Sequence, residues 1–129
     1  VIVKNFSVET AQAAVFDKYG AFFAFSNNQF NEQKKEGVIY EGLASGMVAP
    51  VGADIFKELE KIQQEKIAFE LANNSLKIII WDSLANYECQ ITSNCDDAVE
   101  ALEQYGINRE MIAKEWPAYF QHCVENDYF

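Results

Sequence analysis

His122 and Cys123 are the two neighbouring side chains best suited to chemistry, and Glu125 and Asp127 follow closely. Imidazole and thiolate together are zinc ligands, and a thiol beside an imidazole is also a nucleophile–base pair. The spacing serves neither use locally. Adjacent residues on a helix point about 100° apart, and His122 is the chain's one histidine. An amphipathic C-terminal helix accounts for these residues without a metal or a cofactor, and none is assigned. Cys89 or Cys95 could meet His122 only through tertiary approach. A serine nucleophile would need the same histidine and lacks the G-x-S-x-G turn. Glu65, Glu70 and Asp82 form no carboxylate pair for acid–base work. No catalytic residue is therefore expected.

Three other constellations could bind. The segment Gly42-Leu43-Ala44-Ser45-Gly46-Met47 is glycine-rich but lacks the G-K-[ST] ending of a phosphate loop. A structural turn is the plain expectation, and a pocket lined by Phe23, Phe25, Met47 and Asn86 is the functional alternative, with Met47 and Pro50 taken as exposed. Asn86 and Glu88 would flank Tyr87 at the edges of a helical stripe. The helices on either side of Tyr105-Gly106-Ile107-Asn108 have the outline of a helix-turn-helix. Reading DNA needs a basic surface, whereas Asp96, Asp97, Glu100, Glu103, Glu110 and Glu115 are faced by only Arg109 and Lys114. These six carboxylates are the expected contact set for a basic protein partner. A solvated face that maintains solubility is the plain alternative.

The total charge supports that direction. In 129 residues, ten basic side chains stand against twenty acidic ones, a net of −10. That disfavours direct nucleic-acid binding through phosphates and anchoring on anionic lipid. Residues 82–129 hold ten of the acids and two of the bases, so the charge belongs mainly to the C-terminal third. With 50% hydrophobic residues the chain is too apolar for disorder and long enough for one domain, taken as residues 1–129. No apolar run approaches a membrane span, and no secretory signal is visible. Cys89, Cys95 and Cys123 make an odd count without C-x-x-C, so reduced thiols in a cytoplasmic protein are expected.

The elements that would position these residues are mostly helical. Ser7 caps a first helix that ends at Gly20. The apolar run Ala21–Ser26 is a buried strand or the end of a buried helix. Ser26 and Gln29 have capping-box spacing for a short helix through Lys35 to Gly37. Residues 37–52 suit a strand or hairpin and a loop. Asp54 caps a long amphipathic helix to about Asn73, and Ser75 starts the next. There Leu76, Ile80, Leu84, Tyr87 and Ile91 step by 4, 4, 3 and 4 as one stripe. Asp97 and Glu100 read as a further capping signal, Gly106 as a stop and Asn108 as the last cap. That last helix carries Ile112, Trp116, Tyr119 and Cys123, and Pro117 kinks it or divides it. The expected fold is mainly α, with five or six helices and a short β element near residues 22–44. An α+β fold is the alternative.

The strings YGAFFAFSNNQFNE (19–32), GLASGMVAP (42–50), LANYECQIT (84–92) and DAVEALEQYGI (97–107) resemble an uncharacterised family of small bacterial, phage and mobile-element proteins. The resemblance implies no activity and gives no residue a role. It implies an accessory protein acting in a bacterial cytoplasm, such as a modulator of host machinery or defence. The leading expectation is thus a non-enzymatic protein-interaction module. The alternatives are a small-molecule binder or enzyme using the pocket near residues 42–52, and a homo-oligomer formed through Tyr119, Phe120, Tyr128 and Phe129.

Overall fold

The computed structural model describes residues 2–129. Its elements are mainly α: among the described residues there are seven α-helices and one small antiparallel sheet of three strands. They form two compact units, residues 6–66 and residues 67–129 with the N-terminal stretch up to Asn5. None of the helices is long and apolar enough to cross a membrane.

The first unit opens with α1 (Val8–Tyr19), capped as expected. Ser7 accepts a hydrogen bond from the Thr10 N–H, and Gly20 takes the left-handed conformation at φ 70°. The run after it resolves as a strand, β1 (Phe22–Phe23), at one edge of the sheet. Burial was expected for this run, but only Ala21 is buried; Phe23 and Phe25 are exposed. The reason is position: an edge strand of two residues has one flank only, and alternate side chains leave the sheet on opposite faces.

Helix α2 (Asn27–Gln33) starts at the Ser26 cap, whose hydroxyl accepts from the Gln29 N–H at 3.2 Å. Gln29 reaches back to the Phe25 N–H at 2.7 Å, one residue beyond the usual capping-box target. The helix stops at Lys34, before the expected Gly37. Strands β2 (Tyr40–Gly42) and β3 (Met47–Pro50) form the hairpin, joined by a short 3-10 turn at Ala44–Gly46. β3 is central, pairing Phe22 with Val48 on one side and Glu41 with Ala49 on the other. The sheet therefore extends to residue 50, past the expected limit. Ala21, Ala49 and Ile55 form this unit's buried centre, with Phe16, Leu43, Met47 and Leu59 packed around it.

Helix α3 (Ile55–Asn73) contributes residues to both units. Asp54 accepts from the Lys57 N–H, and the side chains of Asn73 and Asn74 donate to the Phe69 and Glu70 carbonyls at its end. The second unit then holds α4 (Leu76–Asn86), α5 (Cys89–Thr92), α6 (Asp96–Glu103) and α7 (Arg109–Asn126).

The expected stripe through Leu76 and Ile91 is corrected here. The helix ends at Tyr87, and Glu88 turns left-handed at φ 51°. Tyr87, at the end of α4, is exposed; beyond the Glu88 turn the phase of the helix is lost, so Ile91 faces outward and Cys89 is fully buried instead. Leu76, in the first turn, is also exposed; Ile79, Ile80 and Leu84 are the buried residues of α4. This extra break raises the helix count. The expected Asp97 cap is also displaced. The helix begins two residues earlier, at Asp96, whose N–H donates to the Asn94 carboxamide, and Cys95 at the cap position supplies no side-chain bond. Asn108 caps α7 as expected, through Met111 N–H at 2.9 Å. Pro117 neither opens nor closes a helix: α7 runs through it.

Candidate functional site

The second unit has a groove of about 540 Å³ between α6 and α7. Val99 and Cys95 line it from the α6 side, and Ile112, Ala113, Trp116 and Phe120 from α7. These α7 residues recur at helical spacing, so one side of the helix faces the groove. It lies beside the core stripe Ile112, Tyr119 and Cys123, which is buried as expected. Trp116 meets Phe120 at a tilt, 5.8 Å between ring centroids, and Phe120 meets Phe129 edge-on at 5.7 Å. An apolar aromatic row thus leaves the groove and runs along exposed surface. Tyr119 is not part of it. It is buried, and its hydroxyl donates to the Gln90 carboxamide at 2.8 Å, which removes it from any exposed oligomer contact.

The six acidic residues divide around this groove. On α6, Asp96, Glu100 and Glu103 lie within roughly 100° of Val99 on the helical wheel, and Glu103 also lines an adjoining hollow with Val99 and Arg109. Asp97 points about 160° from Val99, away from the groove. Asp96 holds Arg109 at 2.9 Å, and Glu110 approaches Lys114 at 3.8 Å. The Asp96 carboxylate raises the Arg109 guanidinium's pKa further still. Glu115 is placed elsewhere: half-buried, it accepts from the Trp81 indole N–H at 3.1 Å. It serves packing rather than a solvent face. Among the described residues Glu100 and Glu103 have no basic partner.

Trp116, expected in the core stripe, is half-buried and lines the groove. The signal was present as Trp116, Phe120 and Val124, an i, i+4, i+8 series offset from the buried stripe.

The pocket residues are dispersed. In the first unit a hollow of about 360 Å³ is lined by Phe16, Phe23, Met47 and Leu59, with Glu9 and Gln12 at its polar side. Phe23 and Met47 therefore do share a hollow. Met47 and Pro50 are half-buried in β3 rather than exposed. Phe25 is outside the lining. It is 74% exposed, lies parallel to Phe23, and its ring covers Gly46. Asn86 is exposed at the end of α4, belongs to the other unit, and is not among the residues lining this hollow.

Gly46 has φ +80°, and a Cβ there would sit 2.3 Å from Phe25 Cε1. Gly46→Ala is expected to cost about 1–2 kcal/mol from the left-handed backbone alone, with a further loss as the Phe25 ring is driven off. Urea denaturation checks this. In a Phe25→Ala background the steric part of the cost should vanish; an unchanged cost would show that the ring does not cover Gly46.

The sulfur and imidazole groups do not assemble a nucleophile. Cys89 and Cys123 are buried, and burial pushes the Cys89 thiol up to about 11. A thiol at that value is protonated near neutrality and a poor nucleophile. His122 packs against Trp81 and Tyr128, with the Asn126 carboxamide nitrogen 3.3 Å from its Nδ1.

No curated protein and no solved structure matches the chain. A family model does match, over residues 4–122: the chain belongs to the family of unknown function DUF7659.

Proposed function

We propose that this protein is a non-enzymatic protein-interaction module whose partner presents a basic surface to helices α6 and α7. The observation that carries the reading is the solvent-facing placement of Glu100 and Glu103 without basic partners, beside Asp96 and Glu110. Carboxylates in that position steer encounter with a cationic surface and suppress unlike partners. Paired charges at an exposed site would add little. On the resemblance of its sequence strings alone, the finer proposal is a cytoplasmic modulator of bacterial host machinery or defence.

Affinity capture from bacterial lysate tests the reading, using wild type and a variant carrying Glu100→Lys, Glu103→Lys and Glu110→Lys. The wild-type chain should retain specific proteins that the variant loses. Equal capture by both overturns the acidic-face reading.

A further inference from the structure

The α6–α7 groove points to a more specific occupant. We propose that it takes an amphipathic helical segment of a partner protein, seating large apolar side chains against Trp116 and Phe120 and Lys or Arg side chains along the α6 carboxylates. The proposal deepens the acidic-face reading and rests on it for the sign of the partner's charge.

The groove supplies what such a segment needs. It encloses about 540 Å³ along the faces of two helices. Its floor is apolar: Val99, Ile112 and Ala113, with the two aromatic rings. The apolar row continues outward through Phe120, Val124 and Phe129, which are 37%, 50% and 59% exposed. From Trp116 to Val124 that row rises about 12 Å along α7. A helix laid against it would meet the row with anchors at i, i+3 or i+4, and i+7. Strand addition is not the mode here, because the described residues of this unit form helices and no sheet edge.

Charge selects the occupant. Arg109 lines the groove and is held by Asp96, Glu103 lines the adjoining hollow with it, and Lys114 approaches Glu110; Glu100 and Glu103 are exposed on α6 within roughly 100° of the groove residue Val99. A second copy would bring the same carboxylates against these, and like charges facing across an interface are destabilising. Nucleic acid and anionic lipid would meet the same repulsion. Backbone chemistry points the same way. Pro117 has no N–H to give the Ala113 carbonyl. That acceptor therefore lacks its helical donor beside a groove residue, where a Lys or Arg side chain can supply one.

The test uses a labelled Leu/Lys peptide of about four helical turns, with leucines at i, i+4 and i+7 spacing, and a scrambled peptide of the same composition. Fluorescence anisotropy gives Kd for the full chain and two surface variants. Ala113→Arg fills the groove and leaves the acids; Glu100→Lys with Glu103→Lys reverses the border and leaves the groove. Circular dichroism checks that both fold. The amphipathic peptide should bind at least about tenfold tighter than the scrambled one, and each variant should weaken it by about tenfold or more. If scrambling or Ala113→Arg makes no difference while charge reversal still weakens binding, the groove proposal falls and the acidic-face reading stands. If charge reversal changes nothing while Ala113→Arg abolishes binding, the acidic-face reading falls. Absence of binding overturns the groove proposal. So does a dimer of the chain alone that Ala113→Arg dissolves, because the occupant would then be a second copy.

Discussion

Leu84→Ala is expected to lower the unfolding free energy by about 2–5 kcal/mol, the range for deleting a leucine from a close-packed core. Leu84 is fully buried on α4, within a cluster that includes Ile80, Cys89, Leu102, Ile112 and Tyr119. α4 packs on α5, α6 and α7, so the cavity would open where the helices of the second unit converge. Rigid neighbours collapse poorly around such a hole, and the lost dispersion contacts add to the lost burial. Against a typical total of ~5–15 kcal/mol the loss is large. Leu76→Ala is the matched control. Leu76 shares the sequence stripe with Leu84 but is 45% exposed, so its replacement should change stability by about 0.5 kcal/mol or less. Urea denaturation of both variants decides the matter. Comparable losses would restore the continuous stripe and contradict the break at Glu88.

That stripe shows where the sequence is legible and where it is not. Ser7, Asp54, Ser75 and Asn108 were readable as caps because a short polar side chain satisfies nearby N–H groups through purely local geometry. The positions of α1, α3 and α7 followed, and so did the hairpin around Gly42–Gly52. The reversal at Glu88 was not readable. A glutamate carries no signal for a left-handed backbone, and only tertiary packing makes burying Cys89 in place of Tyr87 worthwhile. The Ala21–Ser26 run misled for a related reason: hydrophobicity gives the content of a segment and not its place in a sheet, and β1 is an edge. In the candidate site, the acids of α6 were legible as charge. Their division into a groove border, an outward Asp97 and an indole-bound Glu115 required the helix phases. The groove needed two helices placed side by side, although its aromatic row was already spaced along α7.

Stability is also expected to fall on the alkaline side, because the second unit buries three acidic protons. Burial raises the Cys89 thiol from 9.0 to about 11, and Cys95 and Asp97 push in the same direction. Burial likewise raises the Tyr105 and Tyr119 phenols above their ordinary value of 10.0. Tyr105 donates to the Glu70 carboxylate at 3.0 Å, so ionising it would set two anions in contact beside a glutamate only 2% exposed. Tyr119 is itself buried against the Cys123 thiol. Each folded-state value lies above the unfolded one, so each contribution is complete below the unfolded pKa. As pH rises past 9, the unfolded chain releases the Cys89 proton first while the folded chain keeps it. Stability then falls by about 1.4 kcal/mol per pH unit for that group until the folded thiol also ionises. Cys89 accounts for roughly 2–3 kcal/mol of loss across that window, and the two tyrosines extend the decline above pH 10. Denaturant midpoints measured from pH 8 to about pH 11 should decrease steadily. Cys89→Ala should flatten the part of the slope that begins near 9, whereas general repulsion in this acidic chain would leave it intact. A midpoint that stays level across the range would mean that these protons are not held by burial.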